Sequence, residues 1–90
     1  MSAHEQNITI INSRGMHARA AAKFVRLAET FTANVEVSRN GTAVGGTSIM
    51  GLMLLAAAKG SEINIKVTGE QAAEAFRALV ELVQRGFDEE

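Results

Sequence analysis

One short stretch holds residue types that can handle a transferable anionic group: Gly15-Met16-His17-Ala18-Arg19. His17 lies between a glycine-containing loop and an alanine-rich segment of helical character. The start of a helix exposes unpaired backbone N–H groups and a partial positive charge. A neutral imidazole at that place is a nucleophile. A phosphoryl group arriving on its ring would meet the N–H groups of Ala18 and Arg19. The Arg19 guanidinium adds a fork of donors suited to phosphate oxygens. Gly15 lets the backbone turn tightly and leaves room above the ring. The plainer reading is that His17 caps a helix and Arg19 is solvated. His4, the other histidine, falls in an N-terminal segment expected to be frayed, solvated and inert.

A second stretch is Gly45-Gly46-Thr47-Ser48-Ile49-Met50-Gly51-Leu52-Met53. Ser48 stands where a helix N-cap belongs. A phosphate on Ser48 would add negative charge at the positive end of that helix and should not melt it. Ile49, Met50, Met53 and Leu54 cannot all face a core, so some of them should be exposed. Methionine adapts to several partners, which suits a docking patch. The competing reading is a greasy helix lying over the core.

Other chemistries lack their residues. A single histidine with no acidic cluster near it in sequence is too few ligands for a metal, so no metal is expected. No glycine-rich loop leads into a Lys-Ser/Thr pair, so no nucleotide loop is expected. No Ser-His-acid set can be argued from so few candidates. No cofactor is implied.

The elements that must position these residues are short. Ile8, Ile10 and Ile11 around Thr9 predict a strand over 6–12. Ala18–Thr30 reads as a helix with Ala21, Phe24, Val25, Ala28 and Phe31 near helical spacing. Val35 and Val37 alternate with polar residues, which predicts a half-buried strand. Asn40-Gly41 then predicts a type I′ hairpin into a strand over Thr42–Val44. Ser48–Ala58 reads as a second helix with Gly60 as its stop. Ile63, Ile65 and Val67 alternate through a fourth strand. Thr68 and Gln71 match a capping box for a last helix, whose stripe is Phe76, Leu79, Val80 and Val83 and which Gly86 ends. The order β-α-β-β-α-β-α, with strands that have one wet face, predicts a two-layer α/β (α+β) sandwich with the helices on one side. Periodicity leaves the strand order open.

Ninety residues allow one domain, 1–90, with a modest core. Hydrophobic residues make up 47% of the chain, which excludes disorder. Cysteine is absent, which excludes disulfides, iron–sulfur sites and Cys-ligated zinc. Nine basic and ten acidic residues give a net charge of −1, and Trp and Tyr are absent. That argues against a nucleic-acid partner. No apolar run reaches the ~20 residues of a bilayer span, and the N-terminus lacks the pattern of a signal peptide. No membrane insertion, a cytoplasmic location and a monomer are the expectations. A deep pocket is hard to house, so a carrier, regulator or interaction module fits best.

At these residues the chain resembles a known family. Gly15-Met16-His17-Ala18-Arg19-Ala20-Ala21-Ala22-Lys23-Phe24-Val25 is similar to the active-site segment of HPr, the histidine phosphocarrier of the phosphoenolpyruvate-dependent phosphotransferase system. Ser48-Ile49-Met50-Gly51-Leu52-Met53 resembles that family's regulatory-serine segment, and the resemblance covers nearly the whole chain. It implies an open-faced β-sandwich, a four-stranded antiparallel sheet in the order 1-4-2-3 with three helices on one face. It implies that His17 accepts a phosphoryl group on Nδ1 from phosphorylated enzyme I and passes it to an enzyme IIA. Arg19 and the Ala18 and Arg19 N–H groups would stabilise the phosphate. Ser48 would be the target of an HPr kinase/phosphorylase. Ile49, Met50 and Met53, with Ala22 and Arg26, would form the shared docking surface. No independent catalytic turnover is implied.

Three residues depart from the family pattern. Ala20 replaces the usual proline, which should loosen the first helical turn slightly. Arg14 stands where a small polar residue is frequent in sugar-transport members, and Thr47 where lysine often precedes the serine. Gly15-Met16-His17 and the tail Gly86-Phe87-Asp88-Glu89-Glu90 are more similar to the nitrogen-related branch, NPr, which leans the reading toward a regulatory phosphorelay. The rival readings are an adaptor acting through Ser48 phosphorylation and its apolar patch, and a nucleic-acid or metabolite-binding module.

Overall fold

The computed structural model describes residues 3–89. The expectations for the very start of the chain and for Glu90 fall outside them. Four strands, β1 (His4–Thr9), β2 (Asn34–Arg39), β3 (Thr42–Gly45) and β4 (Glu62–Thr68), alternate with helices α1 (Ala18–Ala28), α2 (Ile49–Leu54) and α3 (Ala72–Gln84). A 3-10 turn, Gly86–Asp88, follows α3. The strands form one antiparallel sheet in the order β1-β4-β2-β3.

Register explains the layering. Ile8 pairs with Ile63, Val35 with Val67, and Val37 with both Ile65 and Val44, so these side chains share one face. Ile8, Val37, Ile63, Ile65 and Val67 are buried there, joined by Phe24 and Val25 of α1, Leu52 of α2, and Leu79, Val80 and Val83 of α3. The opposite face carries Glu5 opposite Lys66, Lys66 opposite Glu36, and Asn7 opposite Asn64, whose amide donates to Asn7 Oδ1 at 2.8 Å. The sheet is an open-faced sandwich. The Asn40-Gly41 turn has positive φ at both residues, 51° and 84°, as a type I′ hairpin requires.

Four local readings give way to tertiary structure. The first strand spans 4–9, not 6–12. Its alternation still runs on, since Ile10 and Asn12 are buried and Ile11 is half exposed. His4 is not frayed: it pairs with Val67 in the sheet, and its ring lies 5.4 Å from that of Phe76. Helix α2 ends at Leu54, not Ala58. Ala56 turns into the left-handed region at φ 51°, and the Ala57 carbonyl accepts from the Met16 N–H at 2.9 Å. Gly60 therefore stops no helix; its N–H donates to the Ile10 carbonyl at the turn into β4. The capping box is absent as well. Gln71 is the N-cap of α3 without a side-chain cap bond, and its Oε1 accepts instead from the Thr32 N–H at 2.7 Å. Helix α1 stops two residues short of Thr30, and Gly86 ends α3 at φ 67°, as expected.

Gly15 is the tightest joint. Its φ is +65°, and a Cβ added there would lie 2.4 Å from the Ala57 carbonyl oxygen. Any side chain is strained in that conformation and collides with backbone that cannot yield. Gly15→Ala should therefore lower stability by about 2 kcal/mol or more in a chemical unfolding experiment.

Candidate functional site

The site is built where two turns meet at one end of the sheet. Asn12 follows the extended run from β1. Its amide donates to the Gly15 carbonyl at 2.9 Å and folds the 12–15 turn, and the Gly15 N–H returns to the Asn12 carbonyl at 3.1 Å. This turn delivers His17 to the N-cap of α1 in an extended conformation, φ −80° and ψ 177°. The His17 carbonyl accepts the Ala21 N–H at 2.8 Å, and its ring Nδ1 accepts the Arg19 N–H at 3.3 Å. Histidine thus does the work that serine or aspartate does at most helix starts. The contact is long for a hydrogen bond, so Nδ1 is held in place and only lightly engaged.

The other ring nitrogen faces the far end of the chain. His17 Nε2 pairs with the Glu89 carboxylate. An acceptor bond at Nδ1 and a carboxylate at Nε2 together put the ring proton on Nε2 and a lone pair on Nδ1. The second Glu89 oxygen accepts from the Asn12 amide at 2.9 Å. Asn12 is only 4% exposed, and its Oδ1 has no partner among the described residues. An unsatisfied buried acceptor costs about 1–3 kcal/mol. The amide is kept despite that cost, with both of its N–H groups on the Gly15 carbonyl and Glu89.

The tail that carries Glu89 is pinned in three places. Phe87 is fully buried, its carbonyl accepts from Lys23 Nζ at 2.7 Å, and Arg85 Nε donates to Asp88 at 2.8 Å. Phe87 and Asp88 both take left-handed backbone, at φ 57° and 61°, which hooks the chain back toward α1. The Asn12 hydrogen bond is the main cause that holds the Glu89 carboxyl below its usual range. Partial burial opposes it, and the His17 bond and the His17 and Lys23 charges assist.

Beside this pair lies a cavity of about 400 Å³ lined by Ser13, Arg14, Arg19, Lys23, Asp88 and Glu89. Three cations face one basin there. Arg19, one of the residues singled out with His17, lies on the exposed first turn of α1 and lines it. Ala20, in the usual proline position, is fully buried and continues the helix. The sequence reading missed Asn12 and Glu89. Their only signal was an asparagine at the inward phase of the strand alternation and an acidic tail.

The second predicted region lies along α2. Ser48 is its exposed N-cap, and Oγ accepts the Gly51 N–H at 2.9 Å. Ile49 is 40% exposed, Met50 73% and Met53 44%, with Leu54 also exposed. A groove of about 640 Å³ between α1 and α2 is lined by Ala22, Val25, Arg26, Glu29, Thr47, Ser48, Ile49 and Met50. The expected patch residues are therefore gathered, except that Met53 stands outside the groove lining. Among the described residues no cluster of three or more metal-ligating side chains occurs, and no helix is long and apolar enough to cross a membrane.

With this geometry in view, comparison with known proteins is direct. The family model described as "PTS HPr component phosphorylation site" matches residues 4–85. The phosphocarrier protein HPr of Pseudomonas aeruginosa is 53% identical over 83 residues, covering 91% of this chain and 92% of that protein. The phosphocarrier protein NPr of Escherichia coli is 39% identical over 87 residues, covering 96% and 97%. Among solved structures, HPr of Thermoanaerobacter tengcongensis superposes with a TM-score of 0.92 at 38% identity, covering 97% of this chain and 98% of that one.

The Asn12–Glu89 bond has a direct test. A carboxyl held low in the folded chain contributes stability above its ordinary range, about pH 4.3, and that contribution is lost as pH falls through the lowered value. In Asn12→Ala, the Glu89 carboxyl, followed by carbon NMR, should titrate at higher pH than in the parent chain. The tail should then release from His17 at a milder acidity.

Proposed function

The chain belongs to the HPr family of the phosphotransferase system, and on that footing we propose that it is a histidine phosphocarrier with His17 as the covalent phosphoryl acceptor. The observation that carries the reading is the Nδ1 of His17, set over the first turn of α1 with, among the described residues, the Arg19 N–H as its one hydrogen-bond partner. Attack by the Nδ1 lone pair on phosphorus would displace that one light contact. The N–H groups of Ala18 and Arg19 would then turn to the phosphoryl oxygens, with the Arg19 guanidinium at their side. Phosphorylated enzyme I would be the donor and an enzyme IIA the acceptor. The chain turns over nothing by itself and needs no cofactor or metal; it carries the group between partners.

Ile49, Met50, Met53, Ala22 and Arg26 serve in this reading as the common docking surface, within reach of Ser48. Phosphorylation of Ser48 by an HPr kinase/phosphorylase would place charge on an otherwise apolar contact and slow exchange with enzyme I. A monomer is the working unit in this reading. A cytoplasmic location follows from the partners. The tail and the Gly15-Met16-His17 segment favour a nitrogen-related relay, to be decided by which enzyme IIA accepts the phosphoryl group.

The test uses enzyme I and phosphoenolpyruvate, with intact mass read before and after brief acid treatment. One acid-labile phosphate should appear on the parent chain and none on His17→Ala. No phosphate on the parent chain, with an enzyme I active on another carrier, would refute the reading. Arg19→Ala should slow transfer while the melting temperature stays near that of the parent, since Arg19 is exposed. Ser48→Asp should slow phosphorylation by enzyme I without unfolding α2, because an aspartate can cap that helix.

A further inference from the structure

We propose that Asn12 and Glu89 are positioning residues for phosphoryl transfer: the buried Asn12 amide orients the Glu89 carboxylate, which holds the proton of His17 on Nε2 and so presents Nδ1 to phosphorus. The proposal rests on the phosphocarrier reading, and it deepens that reading by assigning two residues to the same site.

Three observations converge on it. Both Glu89 oxygens are committed, one to Asn12 and one to His17, so the carboxylate cannot rotate without breaking a bond. Asn12 is buried with an unpartnered Oδ1, and its amide is oriented because both groups it faces are acceptors. The hook of Phe87 and Asp88, with the Lys23 bond to the Phe87 carbonyl, delivers Glu89 to the ring from 72 residues away. Packing alone would not require a carboxylate at this point; an apolar tail residue would serve.

The chemistry balances in both directions. When the chain is loaded, the Nδ1 lone pair forms the N–P bond while the donor's bond to phosphorus breaks, and that electron pair leaves with the donor. The Nε2 proton stays on the ring. The ring then carries a positive charge, and Glu89 stands against it as the counter-charge. When the chain unloads, the N–P electron pair returns to Nδ1 and the leaving group is neutral imidazole. Without the Nε2 proton the leaving group would be an imidazolate, which departs far less readily. The charged groups that line the cavity beside Glu89 are Arg14 from the turn, Arg19 and Lys23 from α1, and Asp88 from the tail. Asp88 is engaged with Arg85, so Glu89 is the carboxylate in contact with His17.

The test compares the parent chain with Glu89→Ala and Asn12→Ala, each labelled with nitrogen-15 in its histidine rings. Nitrogen NMR of the neutral His17 ring reads the tautomer without any phosphate. The parent ring should show a protonated Nε2 and a bare Nδ1, and Glu89→Ala should show an increased share of Nδ1–H. The chains are then phosphorylated with phosphoramidate, so that loading does not depend on enzyme I. In Glu89→Ala the phosphorylated ring should lose its Nε2 proton at lower pH. Transfer to an enzyme IIA above that pH should slow by roughly ten- to a hundredfold, the scale of loss when a group orienting a histidine is removed. Asn12→Ala should move each quantity in the same direction by less.

An unchanged tautomer and an unchanged pH profile in Glu89→Ala would overturn the proposal, as would slower transfer with the ring signals unmoved. Glu89 lies in the tail and its removal leaves the core intact, so this variant decides the matter even if Asn12→Ala fails to fold. Failure of enzyme I to load the parent chain would refute the phosphocarrier reading while leaving the tautomer result interpretable.

Discussion

A single sheet with one apolar face dictates where this molecule can keep its chemistry. Ile8, Val37, Ile63, Ile65 and Val67 are committed to the core, and three helices cover them. Reactive groups must therefore sit on the rim, where turns join strands to helices, and the rim must supply its own rigidity. It does so by turn-to-turn hydrogen bonds: Met16 N–H to the Ala57 carbonyl, the Asn12 amide to the Gly15 carbonyl, and Gly60 N–H to the Ile10 carbonyl. Gly15, lacking a Cβ, leaves room for the approach of the Met16 turn to Ala57. His17 is thus only partly buried, and it is held by the helix backbone and the Glu89 carboxylate rather than by a surrounding wall.

The helix start and the ring nitrogen then serve each other. His17 supplies the acceptor that α1 needs at its first turn, and α1 supplies N–H groups where a phosphoryl oxygen would arrive. The two readings of His17, helix cap and nucleophile, are not in competition. Capping is how Nδ1 is aimed. The same economy appears at Ser48, whose Oγ caps α2 while the residue stays exposed.

Much of this was legible in the residues, because much of it is local. Alternation at Val35 and Val37 and at Ile63 to Val67, the Asn40-Gly41 turn, and the Gly86 stop each depend on a few neighbours, and the structure agrees with them. The four-stranded order came from resemblance and not from periodicity. What the sequence misled on was decided by distant groups. Residues 55–58 have helical composition, but the Met16 N–H needs the Ala57 carbonyl, and α2 is cut short. Gln71 looks like half of a capping box, but its carbonyl oxygen is taken by the Thr32 N–H. Asn12 and Glu89 were invisible as a pair because no local pattern links residues so far apart.

That separation has a consequence for how the protein is born. At a synthesis rate of about 5–20 residues per second, roughly 4–14 s pass between the emergence of His17 and that of Glu89. Strand β1 waits nearly as long for its partner β4, since Ile8 must find Ile63. A nascent chain on the ribosome can wind α1 and cap it with His17, yet it holds neither a closed sheet nor a ring braced from behind. Only a chain extended as far as Glu89 has both. A chain stopped anywhere between His17 and Glu89 therefore carries the histidine without the carboxylate that contacts its ring.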